Sequence, residues 1–154
     1  RLQALGADVH VGGAAYADAL AACNAFREAT GAIESHAYDH PATLAGQGTV
    51  AREWQYQAPD LDTVLVAVGG GGLIGGMAAW YQGQVKVIAV ETEGCPTLHE
   101  AFAAGRPVDV DVSGIAADSL GARRVGSLMF PIAQRYVAAA VLVTLGAIQP
   151  PNAF

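Results

Sequence analysis

The sequence is poor in positive charge and in long apolar runs. Only 8 of its 154 residues are lysine or arginine, against 14 acidic residues, and the formal net charge is −6. The basic residues are scattered, so the chain lacks the clustered positive charge that binds nucleic acid or an anionic membrane surface. No apolar run approaches the roughly 18 residues of a membrane span. We therefore expect neither nucleic acid nor a membrane as a partner.

Cysteine is also scarce. Cys23 and Cys95 lie far apart and form neither a CxxC pair nor a Cys/His ligand spacing. This pattern favours two reduced thiols in the core over a disulfide or a zinc site. Reduced thiols are typical of the cytoplasm, where we expect the protein to be located.

What the sequence does contain is a hydrophobic content of 53%, ample for a core, in short apolar runs that alternate with longer amphipathic segments. This alternation predicts an α/β fold, a doubly wound and mostly parallel sheet with helices on both faces. The predicted strands span residues 7–13, 61–68, 84–91 and 138–144, and the predicted helices span 15–31, 43–57, 73–83 and 97–105. Strand 61–68 is apolar on both faces, as in a strand covered by helices on each side. Gly31 should end the first helix and Thr49 could cap the second.

The stretch VAVGGGGLIGG, residues 66–76, joins a predicted strand to a predicted helix through four consecutive glycines. Such a turn brings backbone N–H groups and the positive end of a helix dipole around one point, where a phosphate can bind. Glycine suits the turn because a side chain would keep the backbone away from the anion. One or two glycines would make a tight turn without a ligand. We interpret the run of four as a phosphate site.

A dinucleotide is one candidate for the ligand that carries this phosphate. Gly70, Gly72 and Gly75 fit G-x-G-x-x-G, and Glu91 ends the next strand about 20 residues later, where an acid would bind a ribose. Two observations argue against an NAD-binding oxidoreductase. A strand, a helix and a long segment precede the glycine turn, which normally follows the first strand, and the segment DHPATLAGQGT, residues 39–49, is left without a role. A non-catalytic scaffold with a vestigial phosphate site is the other alternative.

Four segments in order carry a resemblance to one enzyme family. They are YDHPATLAGQGTVAREW, DTVLVAVGGGGLIGG, VKVIAVETEGCPTLHEAFAAGRP and GIAADSLGARRVG. They look like the large-domain half of the threonine/serine dehydratases, fold type II pyridoxal-phosphate enzymes that include serine racemase. The resemblance extends from about residue 2 to about residue 144, and four ordered motifs are far more specific than any one of them.

The resemblance implies a pyridoxal 5′-phosphate cofactor and a lyase reaction. Its 5′-phosphate would be bound by Gly69, Gly70, Gly71, Gly72 and Leu73. The substrate would be a small hydroxy amino acid, converted to a 2-oxo acid and ammonia, and the full-length protein would be a homo-oligomer. This chemistry needs a lysine that binds the cofactor aldehyde and removes the Cα proton.

In the family that lysine lies upstream of the matched segments. The single lysine of this sequence, Lys86, lies within the apolar strand QVKVIAV. A lysine whose amine reaches solvent explains it better than a desolvated reactive amine. We therefore expect no catalytic residue here. Residues 1–154 would form a partial pyridoxal-phosphate-binding large domain, an internal fragment that is inactive alone.

The resemblance also suggests a binding site for a divalent cation, Mg²⁺ or another, at Glu91. In serine racemase-like members the carboxylate at this position helps to hold the cation, with a backbone carbonyl four residues later and an aspartate two residues beyond. Here those positions are Cys95 and Thr97, although hard cations favour several carboxylate oxygens. The alternatives are a cation at Glu91 and Cys95, or a solvated acid at the end of a strand.

Other polar residues have less specific patterns. Asp118 matches the acid of the family's ADG turn, with Ser119 in place of the glycine. A turn aspartate that binds local amides is an equal alternative. His36 and His40 are interpreted as loop residues rather than catalysts.

Overall fold

The structure, a computed structural model, describes residues 1–14 and 16–148, apart from the side chains of residues 16, 17 and 148. Its contacts divide the chain into two compact units, Arg1–Glu34 and Ser35–Phe154. The assignment of residues 1–154 to one partial domain stays a prediction. No helix in the described ranges is long and apolar enough to cross a membrane.

The first unit contains one helix, α1 (Tyr16–Thr30), and a short 3₁₀ turn at Gln3–Leu5. Gly31 ends α1 as predicted, with a φ of +72° and its amide donating to the Arg27 carbonyl. The strand predicted at residues 7–13 is wrong, because these residues form no strand. A strand needs a partner for its backbone hydrogen bonds, and no described segment pairs with this one.

The second unit is a three-stranded parallel sheet with helices. The strands β1 (Thr63–Ala67), β2 (Lys86–Thr92) and β3 (Val137–Val143) lie side by side in that order. The helices are α2 (Pro41–Gln57), α3 (Gly72–Tyr81), α4 (Thr97–Ala104), α5 (Ala117–Leu120), α6 (Met129–Tyr136) and α7 (Leu145–Ile148). The predicted α/β class with a parallel sheet is confirmed, whereas α5, α6 and α7 were not predicted.

One face of the sheet forms the core. The parallel register pairs Val64 with Val87 and Val66 with Ala89, so these four side chains share a face, and all four are buried. On the other face of β1, Leu65 is 68% exposed. Among the described residues, helices therefore do not cover both faces of this strand as its apolar pattern suggested. The pattern shows what a strand is able to bury, but the neighbouring elements decide what it does bury.

Helices α2 and α3 cross with their backbones in contact. A Cβ atom on Gly76 would lie 2.3 Å from the carbonyl oxygen of Leu44 and 2.6 Å from the amide nitrogen of Gly48. These are backbone atoms of α2 and cannot rotate aside, so only glycine fits. This crossing gives the segment at residues 39–49 the structural role that the dinucleotide hypothesis left open.

The start of α2 differs from the prediction. The helix begins at Pro41, and His40 caps it, since its Nδ1 accepts a hydrogen bond from the Ala42 amide. Thr49 lies inside the helix, where its hydroxyl donates to the Gly46 carbonyl at 2.7 Å. The prediction of Thr49 as a cap is therefore wrong, because the proline already provides a start eight residues earlier.

Candidate functional site

The glycine turn lies at the carboxyl end of β1. Strand pairing continues to Val68, whose amide donates to the Val90 carbonyl, and α3 begins at Gly72. Gly71 is the N-cap residue of α3 and has a φ of +88°, a conformation that a residue with a side chain rarely adopts. The chain therefore passes from a buried strand into a helix within four residues.

The amides of this turn are the groups that can bind an anion. In the part of the chain that the structure describes, no oxygen accepts a hydrogen bond from the amides of Gly69 through Leu73. Gly71 and Gly72 are buried, and unpaired buried amides are rare in proteins. These donors lie at the N-terminus of a ten-residue helix, where the dipole also favours negative charge. The residues present thus fit a phosphate group.

Packing also requires glycine in this turn. A Cβ on Gly70 would lie 2.3 Å from ring atoms of Tyr38, and one on Gly71 would lie 2.5 Å from the terminal methyl of Met129. The sequence interpretation counted four glycines as more than a turn needs. The number of glycines alone therefore does not indicate a ligand.

Two residues to which the sequence analysis gave no separate role lie beside the turn. Tyr38 covers Gly70, and Asp39 accepts hydrogen bonds from the loop that precedes α6. Both belong to the YDHP segment that carried part of the resemblance. Their position in that motif was the only sequence signal that these two residues have a role. No local pattern showed what either side chain contacts.

Glu91 is buried and caps helix α4. Its Oε1 accepts a hydrogen bond from the Leu98 amide and its Oε2 accepts one from the His99 amide, both at 2.8 Å. Burial is the largest influence and raises the pKa of Glu91 above its ordinary value, although these hydrogen bonds oppose the rise. The interpretation as a solvated acid is wrong, because the residue is 1% exposed. Both oxygens are engaged, so the carboxylate is not free to bind a ribose.

The same geometry does not fit a divalent cation at Glu91 and Cys95. The position that carries an aspartate in the racemase-like members is Thr97, whose hydroxyl donates to the Ala122 carbonyl at 3.1 Å. Within the described ranges, no three side chains of His, Cys, Asp or Glu form a group that could hold a metal ion. Both oxygens of Glu91 are hydrogen-bonded to amides of α4. The site around Glu91 therefore lacks the free oxygen ligands that hard cations favour.

Lys86 lies at the opposite end of the sheet from the glycine turn. It is the exposed first residue of β2 and pairs with Thr63 at the start of β1. At about 3.3 Å per strand residue, the six residues from Thr63 to Gly69 separate the backbone of Lys86 from the turn by roughly 20 Å. This position agrees with a lysine whose amine reaches solvent.

The other candidate residues have local roles. Asp118 is exposed in the four-residue helix α5. The Nδ1 of His36 accepts hydrogen bonds from the amides of Tyr38 and Asp39, which makes His36 a loop-organising residue. Both cysteines are unpaired, but only Cys95 is buried, and the expectation of a core position for Cys23 is wrong.

Comparison with known sequences gives a family. A model described as pyridoxal-phosphate dependent enzyme matches residues 1–149. The chain is 35% identical over 145 residues to the L-threonine dehydratase biosynthetic IlvA of Pasteurella multocida, covering 92% of this chain and 28% of that protein. It is 36% identical over 136 residues to the L-threonine ammonia-lyase of Thermotoga maritima, covering 86% and 34%. The chain thus spans about a third of the length of these relatives.

Solved structures give the same result. The processed form of threonine deaminase isoform 2 from Solanum lycopersicum superposes with a TM-score of 0.86 at 30% identity, covering 93% of this chain and 43% of that one. Maize serine racemase superposes with a TM-score of 0.88 at 29% identity, covering 96% and 47%. The arrangement of strands and helices described above is shared with these two proteins.

Proposed function

The chain belongs to the pyridoxal-phosphate-dependent enzyme family, in its fold type II threonine and serine dehydratase branch, and from this premise we propose that it is part of an L-threonine ammonia-lyase. Such a lyase converts the hydroxy amino acid to a 2-oxo acid and ammonia. The observation that carries the proposal is the set of unpaired amides at the N-terminus of α3.

We assign these amides to the 5′-phosphate of the cofactor. The N–H groups of Gly69, Gly70, Gly71, Gly72 and Leu73 would donate to its oxygens, and the dipole of α3 would favour its charge. When bound, pyridoxal phosphate supplies an electron sink for the pair left behind by the departing Cα proton. The role of this chain is to hold that group at the carboxyl end of the sheet.

Lys86 does not remove the proton in this proposal. Its exposed position, roughly 20 Å of strand away from the turn, keeps its amine apart from a group held there. We place the reacting lysine outside this sequence.

The test is competition between pyridoxal phosphate and inorganic phosphate for the purified chain, measured by titration calorimetry. Both ligands should bind and displace each other, and borohydride treatment should leave no pyridoxyl adduct on Lys86 by mass spectrometry. A specific adduct on Lys86 would overturn its exclusion. Binding of neither ligand would overturn the phosphate site.

A pair of variants at Leu73 sharpens the test. Leu73 is 38% exposed in the first turn of α3. Leu73→Asp places a negative charge where it stabilises a helix but repels phosphate, whereas Leu73→Asn has the same size without the charge. We expect the aspartate variant to keep its thermal stability and to bind phosphate at least about tenfold more weakly than the asparagine variant.

Three finer statements are also proposals. We propose that serine is accepted as well as threonine, that the complete protein is a homo-oligomer, and that it is located in the cytoplasm, which the two unpaired cysteines support. The NAD-binding alternative is not supported, because both oxygens of Glu91 are bound to amides of α4. The scaffold alternative is not supported either, since the relatives described above carry the names of a dehydratase, an ammonia-lyase, a deaminase and a racemase.

A further inference from the structure

Asp39 clamps the loop that precedes α6. Its Oδ2 accepts hydrogen bonds from the Ser127 amide at 2.9 Å and the Ser127 hydroxyl at 2.8 Å, and its Oδ1 accepts one from the Leu128 amide at 2.9 Å. Burial opposes the ionisation of Asp39, but the hydrogen bonds from Leu128 and Ser127 outweigh it and lower its pKa. The clamp therefore holds with an ionised carboxylate, whose hydrogen bonds are the stronger kind.

The clamped loop is bonded to the glycine turn. The Gly126 amide, next to Ser127, donates to the carbonyl oxygen of Gly70 at 2.9 Å. The loop at Gly126 packs closely against the Asp39 carboxylate, since a Cβ on Gly126 would lie 2.6 Å from the Oδ1 of Asp39. Asp39, the 126–128 loop and Gly70 thus form one continuous set of contacts.

The bond to Gly70 orients a phosphate donor. The Gly70 carbonyl and the Gly71 N–H belong to the same planar trans peptide, so they point in opposite directions. Fixing the carbonyl toward Gly126 therefore fixes the direction of the Gly71 N–H. Tyr38, which precedes Asp39, lies against Gly70 as well and limits its movement.

From these contacts we infer that Asp39 is a positioning residue for the phosphate site. It acts through Ser127 and Gly126 on the peptide between Gly70 and Gly71, and itself touches no ligand. The inference rests on the proposed function, since the amide it orients is one of the assigned phosphate donors. It adds a role for a residue 30 positions upstream of the turn.

The test compares Asp39→Asn with Val87→Ala in the full 154-residue chain. Val87 is fully buried in β2, so its truncation lowers stability without touching the clamp. Below the unfolding range of both variants, Asp39→Asn should weaken binding of inorganic phosphate by about tenfold, and Val87→Ala should leave it unchanged. Equal phosphate affinity in both variants would overturn the inference.

Hydrogen exchange of the Gly126 amide, followed by NMR, separates this inference from the proposed function. Asp39→Asn should speed that exchange by about tenfold relative to Val87→Ala, because its amide group cannot accept all three hydrogen bonds. If the unmodified chain binds no phosphate, the proposed function fails, and an unchanged Gly126 exchange rate overturns the clamp independently.

A milder variant covers the case in which Asp39→Asn does not fold. Ser127→Ala removes one of the three hydrogen bonds and keeps both amide donors. It should weaken phosphate binding and speed Gly126 exchange in the same direction by about two- to threefold. No change in either quantity would overturn the positioning role.

Discussion

The carboxylate of Glu91 caps helix α4 by accepting the Leu98 amide at 2.8 Å. The residue at the N-cap position itself, Pro96, provides no side-chain hydrogen bond. An acid on β2 therefore satisfies amides that would otherwise be unpaired. His99, the second donor to this carboxylate, also contacts the Ala140 carbonyl of β3 through its Nδ1 at 3.2 Å. The carboxylate and the imidazole thus link α4 to two strands.

Replacing Glu91 by alanine should be among the costly changes in this chain. Glu91→Ala leaves the buried Leu98 amide and the half-buried His99 amide without an acceptor and opens a cavity, so we expect a loss of about 2–4 kcal/mol in the free energy of unfolding. Urea unfolding measures it. The matched control is Glu93→Ala, an exposed acid two residues later, which should change stability by less than about 0.5 kcal/mol. Equal effects in the two variants would contradict the capping role.

The contribution of Glu91 should decrease as the pH rises. Its folded pKa lies above the ordinary value of 4.5, so the folded protein holds the proton more tightly than the unfolded chain. Its stabilising contribution is therefore fully present below the unfolded pKa and is lost as the pH rises through the folded pKa. The stability difference between the unmodified chain and Glu91→Gln should shrink over this interval in urea titrations. A difference that grows with pH would show that the folded pKa is lowered.

Divalent cations should not stabilise the protein specifically. Both Glu91 oxygens already accept amide hydrogen bonds, and the neighbouring Thr97 hydroxyl is engaged with a carbonyl. We expect Mg²⁺, Ca²⁺ and Mn²⁺ to change the Tm by no more than a monovalent salt of equal ionic strength. A larger shift that a chelator reverses would show that a cation displaces the α4 amides.

Two helical glycines should respond to alanine in opposite directions. Gly46 lies within α2 with nothing within 4 Å of an added Cβ, so Gly46→Ala should stabilise the chain by about 0.5–1 kcal/mol through helix propensity. Gly76 lies against the α2 backbone, and Gly76→Ala should destabilise by more than about 2 kcal/mol. The Tm values of both variants, measured by thermal unfolding, test whether the backbones of α2 and α3 are in contact. Similar effects would mean that α2 and α3 are farther apart.

Local sequence patterns were sufficient for much of the fold and for the place of the site. Alternation of apolar runs identified three parallel strands, because a buried strand must be apolar along its own length. The glycine run located the turn between β1 and α3 for a related reason, since strand, turn and helix are contiguous in the chain. Helix α6 was missed because it is only two turns long and contains Pro131.

Contacts between distant segments could not be derived from such patterns. The acid at the end of β2 was compatible with a ribose, a metal or solvent, and only the position of α4 made Glu91 a helix cap. The segment at residues 7–13 has the composition of a strand, yet whether it pairs depends on a partner elsewhere. Asp39 reaches Ser127 across 88 positions of sequence, a distance over which local patterns carry no information. Hydrophobic periodicity is a local property, whereas hydrogen-bond partners and the covering of a sheet face depend on which segments folding brings together.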